Sequence, residues 1–140
     1  MIPDRPFGPS NLTPTTLRIV RYAMLVFVLG FGAFAYYQGT HRVPLAPGEE
    51  GGSDPNLLRW VGLGLCAIVV AGIAVIRRVR EQADTAKRST LALVGSSLAE
   101  GSAMFGAVIM FLGGDVVVWV VGTVLLIATF TMLPADPEQA

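Results

Sequence analysis

Four long apolar runs, at 17–37, 57–76, 91–112 and 116–133, dictate what this chain can fold into. Each is roughly 18 to 22 residues long, and about 20 residues at 1.5 Å rise cross the roughly 30 Å hydrocarbon layer of a bilayer. Lipid offers the backbone no hydrogen-bond partner, so runs of this length must be helices. The expected fold is all-α: a polytopic membrane protein whose four transmembrane helices form two antiparallel hairpins. Their expected limits are about 14–38, 55–82, 90–112 and 116–133, within a single transmembrane domain spanning 1–140 and flanked by short polar tails. Charged residues make up 14% of the chain, against roughly 25% in soluble domains, and mean hydropathy is +0.62.

The breakers between the runs support the same division. Thr13-Pro14 and Asp54-Pro55 each pair an N-capping side chain with proline at the first helical position, where a missing N–H costs nothing. Gly113-Gly114 should end the third helix and Asp115 should cap the fourth, leaving a very short turn. Between the second and third runs lies RRVREQADTAKRS, with neither glycine nor proline. There Arg77 with Glu81, and Arg80 with Asp84, stand at i,i+4, a spacing that lets the second helix continue into water.

Formal net charge is zero, so the position of the charges is what informs. Of the ten Lys and Arg residues, all but Arg42 and Arg59 fall on one side of a four-helix topology. Basic loops stay in the cytoplasm. Both termini are therefore expected inside, in a multi-pass protein of the cell (inner) membrane. Tyr22, Tyr36, Tyr37, Trp60 and Trp119 lie near run ends, where aromatic rings favour the membrane interface. A competing reading takes Arg18, Arg21, the apolar run and Ala33-Phe34-Ala35 as a secretory signal. A cut after Ala35 would leave three helices and keep the basic loop inside.

The residues provide no catalytic constellation. There is one histidine, His41, and one cysteine, Cys66, which excludes an intrachain disulfide and any CxxC metal motif. No P-loop, HExxH or GxSxG occurs. The protein is expected not to be an enzyme, with no cofactor, no metal and no nucleic-acid partner. Asn11-Leu12-Thr13 matches a glycosylation acceptor, but it lies on the side read as cytoplasmic.

Glu100 is the exception in the apolar runs, because a charge at the bilayer centre costs about 2.5–3.5 kcal/mol on insertion scales. Helical spacing puts Ser96, Ser97, Ala103, Met104 and Ala107 on its face. Glu100, Ser96 and Ser97 thus form a candidate ion or proton site. The plainer reading makes Glu100 a neutral carboxylic acid donating one interhelical hydrogen bond. Gly30, Gly62, Gly95, Ala99 and Gly106 are candidate packing positions, where small residues let helix backbones approach closely. Arg77, Arg78, Arg80, Lys87 and Arg88 form a basic stretch that could bind anionic lipid at about 1 kcal/mol per charge.

The stretch EGSAMFGAVI, residues 100–109, resembles the proton-carrying helix of the rotary ATPase proteolipid, subunit c. In that family an acidic residue is followed by small and apolar residues, an aromatic, glycine and aliphatics. The resemblance implies that Glu100 would be the ion-binding carboxylate. It does not extend to a dense glycine repeat in the second helix or to an Arg-Gln-Pro loop, and the first and fourth helices have no counterpart in a two-helix subunit. As a whole the chain resembles small four-helix bacterial membrane proteins of unknown function. The leading expectation is a non-enzymatic protein of the bilayer that forms homo-oligomers or serves as an accessory subunit among other membrane subunits. The alternative is a proton- or cation-handling protein using Glu100.

Overall fold

The computed structural model describes residues 13–41, 54–112 and 115–134. Among them are four helices and no strands: α1 Pro14–Thr40, α2 Pro55–Glu81, α3 Thr85–Phe111 and α4 Val117–Met132. Three of these, Pro14–Thr40, Asn56–Glu81 and Lys87–Phe111, are long and apolar enough to cross a membrane. α4 is apolar but shorter, its 16 residues rising about 24 Å.

Local chemistry explains most of the ends. The Thr13 hydroxyl accepts from the Thr16 N–H at 3.2 Å, and the Asp54 carboxylate accepts from the Asn56 N–H at 2.9 Å. Asp115 accepts from the Val117 N–H at 3.1 Å, so it caps α4 from one residue before the helix boundary residue Val116. The Gly113-Gly114 turn lies outside the described residues. His41 closes α1, its backbone N–H bonded to the Tyr37 carbonyl and its ring stacked on Tyr37.

Two expectations in the polar connection need correction. α3 begins at Thr85, five residues earlier than the apolar pattern suggests, because Asp84 acts as its N-terminal boundary. Neither Arg77 with Glu81 nor Arg80 with Asp84 forms an ion pair among the described residues. For the second pair the physical reason is that α2 stops at Glu81, which leaves Asp84 at the boundary of the next helix, while Arg80 turns inward to the Pro134 carbonyl at 2.8 Å.

α3 is the hub of the bundle, with α1, α2 and α4 all packed on it. The backbones of α1 and α2 stay apart, and the two helices share only side-chain clusters that α3 also enters. At one end Leu17 of α1, Ala92 of α3 and Leu133 after α4 share a buried cluster, and Ile76 of α2 packs on it. In the middle Val28, Val69, Ile73, Ala99, Ala103 and Leu126 bring all four helices together. At the far end Ala35, Ala107 and Met110 form one cluster and Cys66, Ile109 and Val118 another. Trp119, expected at an interface, is half-buried: its indole packs with the first of these clusters and contacts Gly32. Tyr22, Tyr36, Tyr37 and Trp60 are exposed.

α3 and α4 approach backbone to backbone. A Cβ on Gly106 would sit 2.6 Å from both the Cα and N of Trp119, and one on Gly122 would sit 2.6 Å from the Cα of Ala103. Gly95 faces Leu133, and Gly62 faces Val118 and Ile109. Of the five anticipated packing residues, Gly62, Gly95, Ala99 and Gly106 are buried in the bundle. Gly30 is not: it is exposed, with nothing within 4 Å of a Cβ built there.

Candidate functional site

Glu100 sits on α3 at the border between its packed and open faces and is half-buried. The rotation of α3 is fixed by its contacts. Met104 packs near Val28 and Leu25, and Ala107 packs near Ala35 and Phe31, so this edge turns toward α1. Glu100 lies one turn before Met104 and two before Ala107, on the same edge. On its other side are Ser97 and Gly101, both exposed.

The two hydroxyls expected to support the carboxyl do not do so. Ser96 is fully buried and donates to the Ala92 carbonyl at 2.8 Å, the i−4 bond open to any helical serine in an apolar setting. Ser97 faces outward. Glu100 makes no hydrogen bond or ion pair among the described residues. Its carboxyl is therefore available to something other than this chain's described side chains.

A second constellation lies at the end where α1 and α3 begin and α2 and α4 finish. α4 has no basic residue in its last turn and no glycine after it; the Leu133 N–H serves Thr129, and the carbonyls from Phe130 onward have no local backbone partner among the described residues. Two arginines from other helices supply one. Arg21 of α1 donates through Nη1 to the Phe130 carbonyl at 3.4 Å and through Nη2 to the Leu133 carbonyl. Its guanidinium also lies 5.2 Å from the centre of the Phe130 ring, a cation–π arrangement. Arg80 of α2 donates to the Pro134 carbonyl. Both arginines are buried, at 6% and 8% exposure, and the Nε of each has no hydrogen-bond partner. Cations at a helix C-terminus are also favoured by the helix dipole.

In the sequence Arg21 reads as a topology marker or part of a secretory signal, and Arg80 as a topology marker, a partner for Asp84 or a lipid-binding charge; none of these readings places either at the end of α4. The available signal was the ending of α4, TFTMLPAD, an apolar helix stop with neither glycine nor a cation to cover its carbonyls. Gly122, the counterpart of Gly106 across α3 and α4, was likewise not singled out.

Next to this clamp is a cavity of about 510 Å³ lined by Arg77, Arg80 and Arg88, with Glu81 and Thr131. Lys87, grouped with these arginines in the sequence, is exposed and does not line it. At the opposite end Arg59 and Asp115 form an ion pair at 3.4 Å, linking the starts of α2 and α4. Both side chains are well exposed, so this contact adds about 0–1 kcal/mol. Among the described residues no group of three His, Cys, Asp or Glu side chains could hold a metal ion. No family model, curated protein or solved structure matches the chain.

Proposed function

We propose that this is a non-enzymatic, multi-pass protein of the cell (inner) membrane. Both termini face the cytoplasm, and the chain works as an oligomer or as an accessory subunit of a membrane complex. One observation carries this reading. Gly62, Gly95, Gly106 and Gly122 are consumed by packing inside the bundle, whereas Gly30, Gly64 and Gly101 have open space around them on α1, α2 and α3. Small residues on lipid-facing surfaces are where other transmembrane helices dock closely, and Gly101 adjoins a carboxyl that has no partner among the described residues. The basic end of the bundle, with Arg21, Arg77, Arg78, Arg80 and Arg88, supports the orientation through the positive-inside rule. The register of Gly106 on Trp119 and Gly122 on Ala103 supports an antiparallel α3–α4 hairpin, with α4 as the fourth crossing. The role of Arg21 in the clamp supports retention of α1 rather than its removal as a signal.

The test is mass in mild detergent, read by light scattering or chemical cross-linking. Wild type is expected to run as a multimer, or with a second subunit. Gly101→Leu or Gly30→Leu should release it as a monomer with an unchanged helical spectrum. A wild-type protein that stays monomeric in detergent and in lipid nanodiscs, with nothing co-purifying, sinks this reading.

The half-exposed Glu100, without a partner among the described residues, favours a second reading, in which its carboxyl carries a proton or cation. A hydrophobic carbodiimide, which attacks protonated carboxyls, should then label Glu100, with labelling that declines as pH rises and disappears in Glu100→Gln. The same variant should abolish proton or cation flux in reconstituted vesicles. If Glu100→Gln matches wild type in flux at every pH, Glu100 is not a carrier.

A further inference from the structure

Adjoining the cavity beside the α4 clamp is a second space. This one measures about 470 Å³ and runs between α2 and α4. Its walls are apolar: Val70, Ile73 and Ala74 from α2, and Leu125 and Ala128 from α4. Arg77 and Arg78 stand at its end, and the two spaces share Arg77, Glu81 and Met132. From Arg77 to Val70 the groove descends about 10 Å along α2, at 1.5 Å per residue. One end is thus cationic and the remainder is a slot along the outside of the bundle.

The charge balance at the cationic end is uneven. Arg77, Arg78, Arg80 and Arg88 line the two spaces against a single carboxylate, Glu81, and α4 contributes none. Arg80 is more than nine-tenths buried, bonds only a neutral carbonyl, and has an Nε without a partner. Arg77 and Arg78 form no ion pair among the described residues. Arg88 spends its Nε on the Ala83 carbonyl at 2.9 Å, which fixes the 82–84 turn and holds its side chain at the cavity. A cluster of cations next to an apolar slot is complementary to a molecule with an anionic head and a hydrocarbon tail.

We infer that this composite cleft is a binding site for one anionic phospholipid. Its phosphodiester lies among Arg77, Arg80 and Arg88, and an acyl chain lies in the groove between α2 and α4. A purely polar occupant would leave the apolar half unfilled, and a zwitterionic lipid would leave the excess positive charge uncompensated.

The full-length protein in detergent micelles, titrated with phosphatidylglycerol, phosphatidylcholine or inorganic phosphate, tests this. Bound lipid is read by native mass spectrometry, and thermal stability is followed in parallel. Phosphatidylglycerol should be retained in preference to phosphatidylcholine. Arg77→Gln with Arg88→Gln should weaken its retention about thirtyfold, about fivefold per charge removed. Ala128→Trp, which fills the groove and spares every charge, should also displace it; Ala74→Trp does the same from the facing wall if the first variant unfolds. Arg59→Gln, at the other end, should bind as wild type.

Equal retention of the two lipids overturns the proposal, as does unchanged binding in both the arginine and the tryptophan variants. Stabilisation by inorganic phosphate alone, equal to that by phosphatidylglycerol, makes the site a free-anion site and overturns it too. So does lipid binding seen only after removal of residues 135–140, because the acidic tail would then be the occupant.

Discussion

Gly106→Ala is expected to destabilise the protein, although alanine is the better helix former by about 0.8–1.0 kcal/mol. The sign reversal comes from what a single added carbon would meet. Its nearest neighbours are backbone atoms, the Cα and N of Trp119 at 2.6 Å and the carbonyl carbon of Val118 at 2.8 Å. A flexible side chain could swing away, but a helix backbone can yield only by moving as a unit. Separating α3 from α4 would also loosen the reciprocal seat of Gly122 on Ala103. Overpacking of a well-packed core costs about 1–3 kcal/mol, and Gly106→Leu should exceed the upper end of that range. Unfolding midpoints in a detergent titration, with helix content followed by circular dichroism, would measure it. The matched control is Gly101→Ala, where nothing lies within 4 Å, and which should be neutral or stabilising. A Gly106→Ala protein as stable as wild type would mean that α3 and α4 are not in backbone contact.

The second large effect is expected at Arg21. Arg21→Gln removes a buried cation that bonds two α4 carbonyls and lies over Phe130. Hydrogen bonds to charged groups contribute about 1.5–3 kcal/mol each, and carbonyls left buried without partners add to the loss. The longer Nη1 contact, at 3.4 Å, is the weaker of the two. The expected destabilisation is therefore about 2–3 kcal/mol. Arg80→Gln should cost less, since it breaks one bond and also relieves repulsion between the two guanidiniums. For the same reason the double variant should lose more than the sum of the single losses, because each single change already relieves that one repulsion and the double can relieve it only once. Protease cleavage after Pro134 should accelerate along with the drop in unfolding midpoint, because the clamp holds that end of α4. An Arg21→Gln protein within about 0.5 kcal/mol of wild type would leave the clamp without energetic weight.

The elements were legible from the sequence because lipid imposes a simple rule, that an apolar run of bilayer length must be helical. Their starts were legible where a cap and a proline coincide, as at Thr13-Pro14 and Asp54-Pro55. The start of α3 was not, because Asp84 and Thr85 lie in a polar stretch with no apolar period to mark the onset. Helix neighbours were harder still. In water a helix turns its apolar face inward, but in lipid both faces are apolar, so the pattern cannot say which side is packed. Gly30 and Gly106 look alike in sequence, yet one faces open space and the other a backbone. The same blindness covers Ser96, whose hydroxyl serves its own helix rather than Glu100, and Arg21, whose partners follow it by 109 and 112 residues. Glu100 itself stood out, because a carboxyl in an apolar run is conspicuous whatever it faces.

The separation of the α1 and α2 backbones bears on the order in which the molecule can come together. The first two helices make no close backbone approach to each other, so neither offers the other the seat that α3 offers both. α3, emerging later, is the surface on which each can dock. The guanidinium of Arg21 has no carbonyls to bond until α4 has been made, and closing a loop of that length early brings an entropic cost with no compensating contact. Assembly is therefore back-loaded: the clamp closes only once Phe130, Leu133 and Pro134 have been made, and a truncated product lacking α4 would keep an uncompensated cation at the foot of its first helix.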